Sequence, residues 1–146
     1  MHVYNRKARF EYYIDKEFTA GMVLEGSEIK SLRSSNANIS DAFVYISNGE
    51  IFIKGMYIAK YPQATHSNHE ELRDRKLLLK SKEIREIAKW LQTPGHTCVP
   101  LYTRSKNGYA KLLIGTAVGK KLYNKKESTR ERDIKIQTQR ELSYGN

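Results

Sequence analysis

The segment with the clearest structural signal reads Phe43-Val44-Tyr45-Ile46-Ser47-Asn48-Gly49-Glu50-Ile51-Phe52-Ile53. Its two halves are rich in β-branched and aromatic residues, and Asn48-Gly49 lies between them. Asn-Gly favours the tight turn of a β-hairpin, because both central residues of that turn take positive φ angles. The segment therefore predicts two antiparallel strands joined by a short turn.

Further strands are predicted on both sides of this hairpin. Residues 9–24 alternate apolar and polar side chains and predict one long strand or two, bent at Ala20-Gly21, where a glycine permits a barrel corner. Residues 97–104 and 109–117 flank a second turn, at 105–108, that contains Asn107-Gly108. Together these stretches predict five or six strands.

Two helices are predicted between the strands. Ser27 is the expected N-cap of a short helix that contains Ile29 and Leu32 and ends before residue 34. A second helix is expected after Ser81 and before Pro94-Gly95. Its apolar positions, at helical spacing, are Ile84, Ile87, Ala88 and Leu91.

The predicted fold class is mainly β with flanking helices. We expect an OB-fold-like antiparallel β-barrel in residues 1–119, with the helices covering an opening of the barrel. Residues 120–146 are predicted as a basic C-terminal tail, with 8 Lys and Arg against 4 Asp and Glu. Its apolar residues are too sparse for a stable amphipathic face, so we expect it to be disordered when free.

Composition restricts the class of function. The chain of 146 residues has a net charge of +10, which favours an anionic partner such as nucleic acid. Its longest apolar run is far shorter than the roughly 18 residues of a bilayer span, so we expect neither an anchor nor a signal peptide, and no membrane partner. The single cysteine, Cys98, cannot form an internal disulfide, which fits a cytoplasmic location.

No catalytic motif is recognisable in the sequence. Cys98 lies in an apolar strand context without a nearby His or Asp, which favours a buried structural thiol over a nucleophile. His66 and His69 precede Glu70-Glu71, but their spacing is not that of a zinc-protease helix, and a polar loop is favoured over a metal site. We therefore predict a binding module without enzymatic activity, cofactor or metal.

Basic residues cluster at three places in the predicted barrel. The first cluster is Arg6-Lys7 with Arg9, and the second is Lys30 with Arg33 on one side of the short helix. The third, in residues 73–80, precedes the second helix. Clusters of this kind suit contacts to phosphates, with nearby amides and aromatic rings for bases or riboses.

The chain also resembles a known family in a series of ordered blocks. In chain order these are residues 5–9 (NRKAR), 26–33 (GSEIKSLR), 38–41 (NISD), 48–50 (NGE), 75–79 (RKLLL) and 119–121 (GKK). Their order and separations are similar to those of the SsrA-binding proteins, the small protein B (SmpB) family. Thr19, Val118 and Asn124 depart from the residues that are common in that family.

This resemblance implies a protein that binds the tRNA-like domain of tmRNA and enters the A site of stalled ribosomes. Implied partners are tmRNA, the small-subunit decoding centre with its mRNA channel, and elongation factor Tu; we expect a monomer. The implied RNA-binding residues are Asn5, Arg6, Arg9, Thr19, Lys30, Arg33, Asn38, Arg75, Lys76, Leu78, Lys80 and Lys111. The implied ribosome-binding residues of the tail, expected to become helical there, are Lys120, Lys121, Tyr123, Asn124, Lys125 and Lys126.

Two other functions are compatible with a basic barrel. A structural ribosomal or other ribonucleoprotein component is the main alternative, and it would be present in nearly every ribosome. A nuclease is the weaker alternative, because no cluster of carboxylates or metal ligands is recognisable in the sequence.

Overall fold

The computed structural model of the protein describes residues 2–64, 68–106 and 109–121. Three helices and eight strands make up this part of the chain. In order they are α1 (Ala8–Glu11), β1 (Tyr12–Met22), α2 (Gly26–Arg33), β2 (Ala37–Asn38), β3 (Phe43–Ser47), β4 (Glu50–Lys54), β5 (Tyr57–Ile58), β6 (Arg75–Leu78), α3 (Ser81–Leu91), β7 (His96–Lys106) and β8 (Tyr109–Gly119).

Six of the strands form one antiparallel sheet in the order β3-β4-β6-β1-β8-β7. Strands β2 and β5 form a separate short ladder. The edge strands β3 and β7 approach each other, with Cα atoms within 8 Å, so the sheet curls towards a barrel. The prediction of a mainly β, antiparallel fold with flanking helices is confirmed, and the OB-type assignment stays a prediction.

The hairpin of β3 and β4 forms around the predicted Asn48-Gly49 turn. Val44 pairs with Ile53 and Ser47 with Glu50. Asn48 and Gly49 have φ angles of 52° and 77°, as the tight turn requires. The second predicted hairpin corresponds to β7 and β8, and its turn residues 107 and 108 lie outside the described part.

Strand β1 differs in detail from the sequence prediction. It is a single strand, with a register shift between Ile14 and Lys16. A short helix, α1, precedes it in place of the expected start of the strand at Arg9. Ala8 of this helix is buried in a small second cluster with Val99 and Leu101, and this packing explains the helical turn.

Strand β6 was not predicted, although it lies in the middle of the sheet. Residues 75–78 read Arg-Lys-Leu-Leu, in which a charged residue occupies an inward position and hides the alternation of a strand. Arg75 and Leu77 are buried, whereas Leu78 is exposed. The inward position of Arg75 is possible because Glu28 of α2 neutralises it in the interior.

The predicted N-cap of α2 is wrong. Glu25 is the N-cap residue, and its backbone N–H donates to Oε1 of Glu28 at 2.9 Å. The hydroxyl of Ser27 instead lies 2.8 Å from Nδ1 of the buried His69. Helix α3 begins at Ser81 itself, one residue earlier than expected, and Glu83 caps the N–H of Lys80 at 3.1 Å.

The main core lies between the concave face of the sheet and the helices. Ile87 of α3 and Leu32 of α2 are fully buried against inward residues of the sheet. Those sheet residues include Phe18, Ala20, Val44, Ile51, Ile53, Leu77, Leu112 and Ile114. Among the described residues, no helix has the length and apolar character needed to cross a membrane.

Candidate nucleic-acid interface

The convex face of the central strands β6, β1 and β8 gathers predicted site residues. Core residues such as Ala20, Leu77 and Leu112 are adjacent in sequence to the predicted site residues of these strands. Because successive side chains of a strand point to opposite faces, the site residues point outward. Gly21 pairs with Leu78 on one side and with Lys111 on the other. We call this surface the outer face; it consists of Thr19, Gly21, Lys76, Leu78 and Lys111.

Gly21 allows the side chains from the neighbouring strands to meet. A Cβ atom at this position would lie 3.3 Å from Cβ of Leu78 and 3.7 Å from Nζ of Lys111. The leucine and the lysine therefore close over the glycine backbone. The side chain of Leu78, which is 53% exposed, therefore lies next to the cation of Lys111.

A groove of about 340 Å³ borders the outer face. Its lining includes Val23, Ile29 and Tyr109 together with Leu78 and Lys111. Val23 and Tyr109 are exposed, 46% and 71%, and neither was predicted as a site residue. The sequence gives little indication that Val23 and Tyr109 belong to a site, because a single apolar residue at a strand end is common. They lie beside Leu78 only because of the register of β1 with β6 and β8.

The chemistry of this surface suits single-stranded or irregular RNA. An exposed aromatic ring and aliphatic side chains can contact the face of an unstacked base, and a lysine can contact the adjoining phosphate. Lys111 supplies that charge within the groove. Lys76 lies on the next outward position of β6 and forms a long ion pair, 3.4 Å, with the exposed Glu50.

The other predicted cations lie on exposed parts of α1, α2 and the loops. Arg9 forms an ion pair with Glu17 at 2.7 Å, and Nζ of Lys30 lies 5.4 Å from the ring centre of Tyr61. Such exposed contacts contribute about 0–1 kcal/mol and can be exchanged for phosphate contacts. Arg6, Arg33, Asn38 and Lys80 are also exposed. The structure does not bring these residues into the outer face itself.

Asn5 and Arg75 need correction as direct RNA contacts, because both side chains are buried. The amide of Asn5 donates to the carbonyl oxygen of Pro100 at 2.8 Å and fastens the N-terminal segment to β7. The guanidinium of Arg75 donates to Met56 O at 2.6 Å and contacts the Glu28 carboxylate. These residues position other elements, since a phosphate cannot reach them in this structure.

Glu28 is the centre of this interior charge network. Its side chain is fully buried, and Nη2 of Arg73 lies 2.5 Å from its Oε1. Burial by itself raises the pKa of Glu28, but hydrogen bonds from Arg73, the backbone of Glu25 and Arg75 outweigh it and lower the pKa below the ordinary value. The carboxylate is therefore charged at neutral pH and links α2 to β6.

The side chains of His69 and Cys98 are buried in the fold. Nδ1 of His69 contacts Ser27, and Nε2 lies 2.8 Å from Ile58 O, so the ring joins the 59–74 loop to α2 and β5. His66 lies outside the described residues, within which no group of three or more metal-ligating side chains occurs. Burial raises the pKa of Cys98 to about 12, in agreement with the predicted structural thiol.

The tail begins at the end of β8, on the side of α1. Nζ of Lys120 lies 5.2 Å from the ring centre of Tyr13. Lys120 and Lys121 also line a groove of about 390 Å³ with the exposed ring of Phe10. The predicted tail residues Tyr123, Asn124, Lys125 and Lys126 lie outside the described part.

Known proteins match this chain over most of its length. A family model described as SmpB protein matches residues 2–144. The SsrA-binding protein of Halalkalibacterium halodurans is 46% identical over 142 residues, 97% of this chain and 92% of that protein. That of Acholeplasma laidlawii is 44% identical over 138 residues, 94% and 93% of the two chains.

A solved structure also matches the fold. It is described as "tmRNA-SmpB: a journey to the center of the bacterial ribosome". The matching chain has a TM-score of 0.70 and 38% identity, and the match covers 82% of this chain and 84% of that one. The family resemblance seen in the ordered sequence blocks is confirmed.

Proposed function

Because this chain belongs to the SmpB family, the SsrA-binding proteins, we propose that it binds the tRNA-like domain of tmRNA and delivers it to the A site of stalled ribosomes. The observation that carries the proposal is the outer face. There, side chains from three strands combine an exposed apolar surface with lysines, as recognition of an unstacked RNA segment requires. The chain then acts as the RNA-binding adaptor of trans-translation.

The proposed contacts divide between the outer face and the exposed cations around it. Leu78 and Thr19 contact riboses or bases, and Lys111 contacts a phosphate beside them. Asn5 and Arg75 hold their segments in place. The remaining proposed RNA contacts are Arg6, Arg9, Lys30, Arg33, Asn38, Lys76 and Lys80.

The tail has a separate role in this proposal. Residues 1–119 bind tmRNA, and residues 120–146 enter the decoding centre and the mRNA channel. The tail contacts are Lys120, Lys121, Tyr123, Asn124, Lys125 and Lys126. Its surplus of positive charge supports this role, because the channel that it enters is lined by RNA phosphates.

The protein itself carries out no bond-making step in the proposed mechanism. It supplies shape and charge as a monomer in the cytoplasm, and the ribosome catalyses peptide transfer. Elongation factor Tu is the proposed companion in delivery of the charged tmRNA. The structural setting of Cys98 and His69 supports this role, since both side chains are buried.

A gel-shift titration tests the proposal. The full chain is titrated against the isolated tRNA-like domain, an ordinary tRNA and a random RNA duplex at several salt concentrations. We expect clearly tighter binding of the tRNA-like domain at each salt concentration. Equal affinity for the domain and the duplex would contradict the proposal.

A further inference from the structure

The basic cluster in residues 73–80 contains one cation, Arg73, that has no role in the proposed function. Its guanidinium donates through Nε and Nη2 to Oε1 of Glu28, at 3.2 and 2.5 Å. Nη2 also donates to Val23 O at 3.3 Å, and Nη1 donates to Asp74 O at 3.4 Å. A single guanidinium therefore joins the residue that follows β1 to the first turn of α2.

These contacts leave Arg73 little capacity to bind an RNA phosphate. Four hydrogen bonds engage its N–H groups, so a single N–H remains for any other partner. Its side chain is 29% exposed, and its charge faces the buried carboxylate of Glu28. The arrangement is therefore that of a group that holds other elements in place.

The two elements that Arg73 joins form one side of the groove beside the outer face. Val23 and Ile29 line that side, and residues of β6 and β8 line the other. Arg73 does not itself line the groove, but it holds Val23 through its carbonyl oxygen and Ile29 through the neighbouring Glu28. The N–H of Val23 is fixed as well, because it donates to Lys76 O at 3.0 Å. The position of this side relative to the strands therefore depends on Arg73.

We propose that Arg73 is a positioning residue for RNA recognition, which sets the separation between the two sides of the groove and so its fit to an unstacked RNA segment. This inference rests on the proposed function, because it needs the groove beside the outer face to bind the tRNA-like domain. In a direct phosphate contact, the charge of Arg73 alone would matter. In the positioning role, the planar fork of the guanidinium matters, since it reaches Glu28 and Val23 together.

The first test replaces Arg73 with lysine, which keeps the charge and removes the planar fork. Arg73→Lys should bind the isolated tRNA-like domain about three- to tenfold more weakly than the unmodified chain, because the groove loses its fixed width. The matched control Arg85→Lys makes the same change at an exposed position of α3 and should bind that domain normally. Undiminished affinity of Arg73→Lys would overturn the proposal, because the charge alone would then be sufficient.

The second test measures the salt dependence of Arg73→Gln. Loss of a positioning contact should weaken binding while the slope of log Kd against log salt stays within about half a unit of the original slope. A slope reduced by about one unit would show that Arg73 contacts a phosphate directly, and it would overturn the proposal.

Urea unfolding at the temperature of the binding assay separates positioning from a general loss of fold. Glu28 keeps Arg75 as a partner in both variants, so both should be folded under the assay conditions. An unfolded Arg73→Lys chain would overturn the proposal, because Arg73 would then maintain the fold as a whole.

A double-mutant cycle with Val23→Ala adds a readout that a general loss of stability does not change. The combined effect of Arg73→Lys and Val23→Ala on Kd should be smaller than the product of the single effects, because both substitutions act on the same side of the groove. Effects that simply multiply would place Arg73 outside the recognition of RNA by the groove.

The outcomes separate this inference from the proposed function. If the unmodified chain fails to bind the tRNA-like domain selectively, the proposed function itself is wrong. If it binds selectively and Arg73→Lys binds equally well, only the role of Arg73 is overturned.

Discussion

At the scale of single residues, two adjacent cations of one strand have different structural roles. Arg75 and Lys76 are adjacent cations in one strand, and their sequence context does not distinguish them. Arg75 points inward to Glu28, whereas Lys76 points outward. Under the proposed function, removal of either charge should weaken RNA binding, and for Arg75 the cause would be loss of structure.

Glu28→Gln should strongly destabilise the fold. The substitution leaves the guanidinium of Arg75 buried without a carboxylate, which typically costs about 3–5 kcal/mol. Urea unfolding measures the free energy of unfolding at pH 7. Glu17→Gln is the matched control: it removes an exposed carboxylate from the pair with Arg9, so a change of about 0–1 kcal/mol is expected.

The pH dependence gives this variant a second signature. The folded pKa of Glu28 is below its ordinary value, so its contribution to stability is complete above about pH 4.3 and is lost as the pH falls through the lower, folded pKa. The original chain should therefore lose more stability than Glu28→Gln on acidification from pH 5. Parallel pH profiles would contradict this role.

At the scale of elements, turns and strand registers determine the surface. The β3–β4 turn needs positive φ at Gly49, and the register of β6, β1 and β8 places Leu78 and Lys111 on either side of Gly21. The hairpin turn is local and was predictable. The outer face is not local, because its residues come from segments separated by long stretches of chain.

Gly49→Ala should destabilise the hairpin by about 1 kcal/mol. Its φ angle of 77° is strained for any residue with a Cβ atom, although no other group blocks the space. Gly26→Ala is a matched control, because this glycine also has open space but is at the first position of α2. Thermal unfolding should show a lower Tm for the first variant only; equal Tm values would contradict the role of the turn.

Lys111→Gln should weaken binding of the tRNA-like domain without loss of fold. The loss of one phosphate contact should reduce the salt dependence of log Kd by about one unit. Salt-dependent gel shifts provide the measurement. Lys82→Gln removes an exposed lysine of α3, which packs on the other side of the sheet from the outer face, and should leave the slope unchanged. The same slope in both variants would remove Lys111 from the phosphate contacts.

At the scale of the whole molecule, charge is distributed over surfaces with separate proposed tasks. Residues 1–119 have a net charge of +6, and residues 120–146 have +4. The outer face belongs to the first region, and the proposed ribosome-binding tail is the second. This distribution suits an adaptor that contacts tmRNA and the ribosome at once.

Truncation after Gly119 tests the proposed division between barrel and tail. The shortened chain should bind the tRNA-like domain within about threefold of the full chain, because the outer face is retained. It should fail to support tagging in a translation assay with truncated mRNA. A large loss of affinity for the free RNA would show that the tail takes part in that contact.

The sequence by itself determined the hairpins, the two longer helices, the basic character and, through its ordered blocks, the family. These features follow from turn chemistry, side-chain periodicity and charge, which are properties of short segments. Strand β6 and the burial of Asn5 and Arg75 were decided only by the tertiary structure. Arg75 can lie in the interior because packing brings Glu28, 47 residues away in sequence, against it, and no local pattern encodes that partner.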